Sequence, residues 1–403
     1  EEYHDNNCPC LWSAYLPPAV QASLTRELHD LLLLELLSHR TAWCLRVIPR
    51  LFLRDMRIFL GGDMDFARLV GLHYSPALHC ALLAEALQLA PPGSPLLNRD
   101  TRDILIHTAE ELAKSQVAQN VGLASATQTM ATIAQYELAF GHTRAAFLRI
   151  RNAIEVARLS GFHHEFLRDG IPNDDGDPLR KLCYLSLLVQ DTDVATHTGQ
   201  DVCPYEHPFP TSYPFLSNQL PPDVRLDSET FVQTAKLMRI VAHMTSKFSK
   251  EEHLHASLVT SVENELYDWH RRVPPSHASD TSLSPAILLM HMTYYWATML
   301  LYRPFYGRED AREGWRKYSD EACKRFFTTL RHFERNITFK HAPLTLVNML
   351  VTAGAIALVS AAHARPAQII LRERALAYAQ MAADDLLQMA TVWPCAMQYG
   401  NTL

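Results

Sequence analysis

Apolar residues recur along this chain at helical spacing, and no segment shows the period-2 alternation of a half-buried strand. Gln21–Arg40 is rich in leucine, with Leu24, Leu28, Leu31, Leu32 and Leu36 on one side of the helix it predicts. Pro49, Gly61-Gly62 and Pro76 punctuate the chain beyond it. Ser75-Pro76 opens a helix through Leu89, because proline is tolerated at the first helical position. Pro91-Pro92-Gly93-Ser94-Pro95 reads as a loop, and Asp100 can cap a helix reaching about Asn120.

The clearest local pattern comes next. Ala124–Phe140 predicts a helix that Gly141 stops in a left-handed conformation, and Arg144–Ser160 predicts a second one stopping at Gly161. In the second helix Phe147, Ile150, Ile154 and Ala157 form a buried seam. Arg144, Arg151 and Arg158 fall on another face, read as a solvated cationic stripe. Together the two helices make an antiparallel hairpin. Gly170 to Gly176 is an acidic loop, Pro178–Ala195 a helix with an apolar middle, and His197 to Pro222 a long proline-rich irregular stretch. Ser228–Phe248, Ser249–Arg272, Ser284–Tyr302, Asp310–His332, Pro343–His363 and Pro366–Val392 complete the expected helices. The pattern never separates into two independent halves, so the expectation is one large all-α domain over residues 1–403.

Composition agrees. Of 403 residues 48% are apolar and only 14 are glycine, which suits helices with few tight turns. Acidic residues outnumber basic ones, 43 to 37, which argues against a nucleic-acid grip. The eight cysteines lack zinc-site spacing, Cys8-Pro9-Cys10 being the only close pair, and read as reduced thiols in a nuclear or cytosolic protein. The chain opens Glu1-Glu2-Tyr3-His4, with neither an initiator methionine nor a signal peptide, and is expected to be a fragment or a processed chain. Leu344 to Ala362 is uncharged and close to spanning length, but its many alanines and polar residues favour a helix buried in protein, and no membrane partner is expected. Asn336-Ile337-Thr338 matches a glycosylation triplet by pattern alone.

Catalytic signatures are missing. There is no phosphate loop, no G-x-S-x-G and no H-E-x-x-H. His253 and His255, and likewise His163 and His164, should point to different faces of a helix. Asn173-Asp174-Asp175-Gly176-Asp177 would place Ile171 at the first position of a calcium loop, which cannot ligate, so a solvated acidic turn is expected. Asp384-Asp385 is followed by Gln388 where the magnesium-binding helix of an isoprenoid synthase needs a third aspartate. The expectation is therefore no enzyme, no catalytic residues, no metal ligands and no cofactor. One residue stands apart: Asp191 interrupts an apolar helix carrying Leu182, Leu185, Leu187, Leu188, Val189 and Val194. A carboxylate there is costly unless paired, capping the following loop or facing a cavity. Internal pairing or capping is the expectation, and a ligand-facing role makes Asp191 the one weak binding-site candidate.

The run Arg180-Lys181-Leu182-Cys183-Tyr184-Leu185-Ser186-Leu187-Leu188-Val189-Gln190-Asp191, with Gly199 beyond it, resembles a signature of the fungal-specific transcription factor domain. That domain is the middle homology region of zinc binuclear cluster regulators. Arg180, Ser186, Leu187, Val189, Asp191 and Gly199 match in register. Tyr184 and Leu185 replace a tryptophan pair, and Gln200 and Asp201 replace Arg-Pro. Tyr74-Ser75-Pro76-Ala77-Leu78, the stretch Ala153 to His163, Leu301-Tyr302-Arg303-Pro304-Phe305-Tyr306 and Arg50 to Met56 are similar to further family segments in the same order. The resemblance covers about residues 24–365. It implies an all-helical regulatory domain that itself touches no nucleic acid and holds no zinc; the family's DNA-binding zinc cluster is expected either upstream of this chain or missing from this member. It implies a nuclear location. The candidate partners are transcription machinery or a regulatory protein, a small effector, and a second copy of the chain. The alternative is a helical scaffold of the TPR type, for which only the Ala124–Gly161 hairpin has the right form.

Overall fold

Helix boundaries follow the chemistry of their ends. Ser75 is extended and its hydroxyl accepts the Leu78 N–H at 3.2 Å, so the helix beyond it begins at Pro76. Gly141 and Gly161 both take φ +80°, the left-handed conformation that ends the two hairpin helices. The computed structural model describes residues 12–39, 43–60, 73–90, 94, 99–167, 177–203, 222–250, 256–306 and 313–403. The expected acidic and calcium-like loops, Cys8, Cys10, Gly61-Gly62, most of Pro91–Pro95, His253, His255 and the middle of the proline-rich stretch lie outside them.

The described residues form an all-α protein without strands. In chain order the helices are α1 (Pro18–Gln21), α2 (Arg26–His39), α3 (Pro49–Leu60), α4 (Pro76–Ala86), α5 (Arg99–Gln119), α6 (Leu123–Ala139), α7 (Thr143–Leu159) and α8 (Phe162–Leu167). They continue with α9 (Asp177–Thr198), α10 (Pro222–Lys250), α11 (Ala256–Arg272), α12 (Pro285–Tyr302), α13 (Glu313–Asn336), α14 (Thr345–His363), α15 (Ile369–Met389) and α16 (Cys395–Thr402). Consecutive helices pack as hairpins: α4 with α5, α6 with α7, α12 with α13 and α14 with α15.

Four helices go beyond the periodicity reading: α1, α3, α8 and α16. In α3, Phe52, Met56, Phe59 and Leu60 are buried at spacings of one helical turn behind the permitted Pro49. The expected start at Ser249 differs too, because α10 runs on to Lys250 and α11 begins at Ala256.

Among the described residues, buried apolar side chains form two large cores and a small third cluster of Ala195, Val202 and Ala242 beside Phe147. The N-terminal core joins α2, α3, α4 and α5 through residues such as Leu33, Phe52, Leu78 and Leu105. The larger core takes in the helices from α6 to α16, with Trp296 and Trp393 fully buried. Helix α6 serves both: Ile133 belongs to the first core, and Ala131, Ala134 and Leu138 to the second. The segment 43–48 also divides, Val47 going to one core and Trp43, Leu45 and Ile48 to the other.

Helix α14 is long and apolar enough to cross a bilayer, yet 67% of its apolar window is packed inside. Gly354 in α14 lets the chain close up there. A methyl group on it would meet Leu403 Cδ1 at 2.7 Å and Ala382 Cβ at 3.0 Å.

Candidate functional site

Asp191 lies on α9 where that helix crosses α7, and it is fully buried. Arg151 of α7 reaches it, with Nε 2.6 Å from Oδ1, an ionic contact without hydrogen-bond alignment. The Arg151 guanidinium also covers the Phe147 ring at 4.8 Å and donates to the Asp201 carbonyl. The second carboxylate oxygen, Oδ2, accepts the Cys203 backbone N–H at 2.7 Å. Arg158 donates to Cys203 Sγ at 3.2 Å and pairs with Glu155 at 3.0 Å. Asp191 is thus both paired and capping: it fastens residues 201–203 to the α7–α9 crossing. Burial pushes its pKa up, while Arg151 and the Cys203 N–H pull against that shift.

This geometry corrects the reading of the arginine stripe. Only Arg144 is a solvated residue. Arg151 and Arg158 keep 26% and 18% of their side-chain surface and turn inward onto the latch. Arg149 links the hairpin to α5, lying 2.8 Å from Glu137 and 3.4 Å from Glu110. The seam residues Ile150, Ile154 and Ala157 are fully buried, with Phe147 partly so.

Two further polar clusters escaped the sequence reading. At the junction of the cores, Arg46 and Glu85 are buried and in ionic contact at 3.5 Å. Gln128 donates to the Arg46 carbonyl at 2.5 Å, and Gln190 to the Ala131 carbonyl at 2.6 Å. Asp193 accepts the Thr345 hydroxyl at 2.7 Å. Burial pushes Asp193 up to about 6, so this carboxyl takes up a proton just below neutral pH. Arg46, Gln190, Asp193 and Thr345 line a small cleft here of about 20 Å³, room for one water.

At the edge of the N-terminal core the exposed Asp30 places Oδ1 2.7 Å from Nδ1 of the buried His29, and His29 and His79 meet through their Nε2 atoms at 2.8 Å. Tyr74 Oη is 3.2 Å from His79 Nδ1. Asp30 can only accept, so His29 Nδ1 carries a proton. His29 Nε2 then accepts from His79, and His79 Nδ1 accepts from Tyr74. The bond between the rings needs the acceptor nitrogen of His29 unprotonated, and the Tyr74 bond needs that of His79 unprotonated. Burial drives His79 well below the ordinary imidazole range.

The signal for these residues was the one that singled out Asp191: a polar residue inside an apolar run. Glu85 sits in Pro76–Ala86, His29 among leucines, and Arg46 between Leu45 and Val47. What each would meet was not legible.

Elsewhere, Asp385 is buried against Arg331, which joins α13 to α15, and burial pushes it up to about 6. Asp384 stays exposed. The rings of His163 and His164 lie 3.8 Å apart, turned toward each other and not onto separate faces. Five of the described cysteines are buried and Cys395 is half-buried, all as free thiols. Among the described residues no group of three or more histidine, cysteine or acidic side chains is placed to hold a metal ion. Compared with known proteins, the chain matches no family model, no curated protein and no solved structure.

Proposed function

We propose that this chain is a regulatory domain of the fungal transcription factor type. It controls a DNA-binding domain outside it and answers to a small effector or a protein partner in the nucleus. It carries out no catalytic step and makes no contact with DNA. The observation that carries the reading is Asp191. The residue that best marks the resemblance is also the one whose two oxygens tie α7, α9 and the following segment together. Other residues of the resemblance also stand at element ends: Ser75 caps α4, and Arg303-Pro304-Phe305 forms the short 3₁₀ turn that closes α12. A control domain needs two packings that an effector or partner binds unequally. A body with two cores meeting across a polar junction has a place where such packings could differ.

A tethering experiment tests this. Fused to an unrelated DNA-binding domain, the chain is expected to change reporter output several-fold relative to that domain alone, and Asp191→Leu to alter the change. Reporter output equal to that of the bare DNA-binding domain would overturn the regulatory reading and leave the scaffold alternative. In parallel, the isolated chain is expected to show no saturable binding to duplex DNA at micromolar concentration near physiological salt.

A further inference from the structure

Two exposed apolar faces of this chain carry opposite charge. On α2, Glu27, Leu31, Leu34 and Ser38 recur at helical spacing along one outward face, with Leu31 50% and Leu34 58% exposed. Asp30 and Glu35 flank this face. Arg26 lies 3.7 Å from Asp30 and Lys340 3.4 Å from Glu35, while Glu27 forms no ion pair among the described residues. At the start of α15, Ile369 is 62% and Ile370 81% exposed. Arg365, Arg372 and Arg374 surround them, all exposed, with Glu373 between the last two. None of the three arginines forms an ion pair among the described residues, a local reversal in a chain of net charge -6. The Lys340–Glu35 pair and the contact of the His39 and His341 rings put α2 beside the residues that lead into α14. Helix α14 then runs for 19 residues, about 28 Å, before the turn into α15. The two faces are therefore too far apart to meet within one molecule.

We propose that the start of α15 in one copy of this chain docks on α2 of a second copy. Ile369 and Ile370 lie on Leu31 and Leu34, and Arg372 and Arg374 approach Glu27 and Asp30. The apolar side chains leave water, and the guanidinium–carboxylate pairs set the orientation. Like-charge repulsion works against α15 on α15 and α2 on α2. Because the two faces differ and stand apart, the contact is head-to-tail. Each added copy leaves one free face of each kind, and assembly proceeds one chain at a time. The contact uses neither Asp191 nor the polar junction and does not depend on the regulatory reading.

Sedimentation velocity of the whole chain in about 50 mM salt should show a mass that rises with concentration between about 5 and 100 μM, the range of a small interface. Raising the salt to about 0.5 M should reverse much of the rise, because the charges are then screened. Leu34→Arg and Ile370→Asn, both at exposed positions where folding is not at stake, should each weaken association at least about tenfold. Mixed together, these two variants should form a pair that grows no further. The first keeps an intact α15 face and the second an intact α2 face. A mass that stays at one chain throughout would overturn the proposal, and would leave both faces to a foreign partner or to none. Association removed by only one variant, the mark of a symmetric contact, would also overturn it. So would association that neither variant weakens, or failure of the mixture to pair.

Discussion

The two cores bury different mixtures of polar groups. Each holds a buried carboxylate beside an arginine, Asp55 with Arg54 in the N-terminal one and Asp191 with Arg151 in the larger one, and each buries imidazoles, but the N-terminal core alone joins two rings directly in a relay. His29, His79 and Tyr74 pass hydrogen bonds in one direction within a wall that includes Phe52, 5.4 Å from Tyr74 between ring centroids. Asp191 and Asp385 instead meet Arg151 and Arg331 at helix crossings. A relay of neutral groups avoids burying charge but fails when any ring gains an unwanted proton. An ion pair tolerates its charge but fails when either partner is removed. The two regions should therefore break under different treatments.

The largest effect is expected in the larger core. Asp191→Leu strands the Arg151 charge and the Cys203 N–H. Arg151 keeps some access to water, so the loss should be about 3 kcal/mol, at the low end for a broken buried pair. Urea denaturation measures it, with exposed Asp384→Ala as a control expected within about 0.5 kcal/mol of wild type. Equal midpoints for the two variants would mean that the latch carries no stability.

His79→Leu should cost about 2 kcal/mol, because it removes the buried ring that bonds both His29 Nε2 and the Tyr74 hydroxyl. The damage should be local. Hydrogen exchange should speed up in α2 and α4 and stay unchanged in α14 and α15. Uniform acceleration across both cores would show that they open as one unit.

Acidification gives the smallest and most discriminating contrast. His79 is held well below the ordinary imidazole value of 6.5, and burial lowers His73 to about 4. Their contribution is present above pH 6.5 and is lost as pH falls below it, since the unfolded chain then binds the proton more readily. Between pH 7 and pH 6 each should cost the N-terminal core about 0.7 kcal/mol. Asp193 and Asp385, both raised to about 6, act the other way. Their stabilising effect is complete below about pH 3.8 and is lost as pH rises through 6. The same step therefore gains the larger core about 0.3 kcal/mol per carboxyl. Burial also lowers His197, His277 and His291 in that part of the chain, which offsets this gain. Exchange rates, corrected for their intrinsic pH dependence, should rise in α2 and α4 and hold nearly steady in α14 and α15. Parallel changes in both regions would remove the distinction.

Much of the helical framework was legible because its causes are local. Ser75-Pro76, Gly141 and Gly161 act within a turn of the chain, and the Ile150–Ile154–Ala157 spacing is a property of one helix. Asp191 was legible as an anomaly, since a carboxylate in an apolar run must have a partner. That the partner is Arg151 was not, because the roughly 40 positions between them say nothing about which helix crosses α9. The arginine stripe shows the converse limit. Long basic side chains read as solvated from spacing alone, yet two of the three bend inward once a buried acid and the groups of the segment it fastens lie within reach.

The sequence by itself determined the all-helical class, most helix limits and the presence of a few polar residues in apolar surroundings. These depend on backbone propensity, capping and the 3.6-residue period, which act over neighbouring residues. Only the tertiary structure decided that most buried apolar residues gather in two large cores sharing α6, that Arg46 meets Glu85 between them, and that His29 faces His79. Such pairings join residues far apart in the chain, and their energies depend on burial and on ångström-scale geometry, neither of which a linear pattern carries.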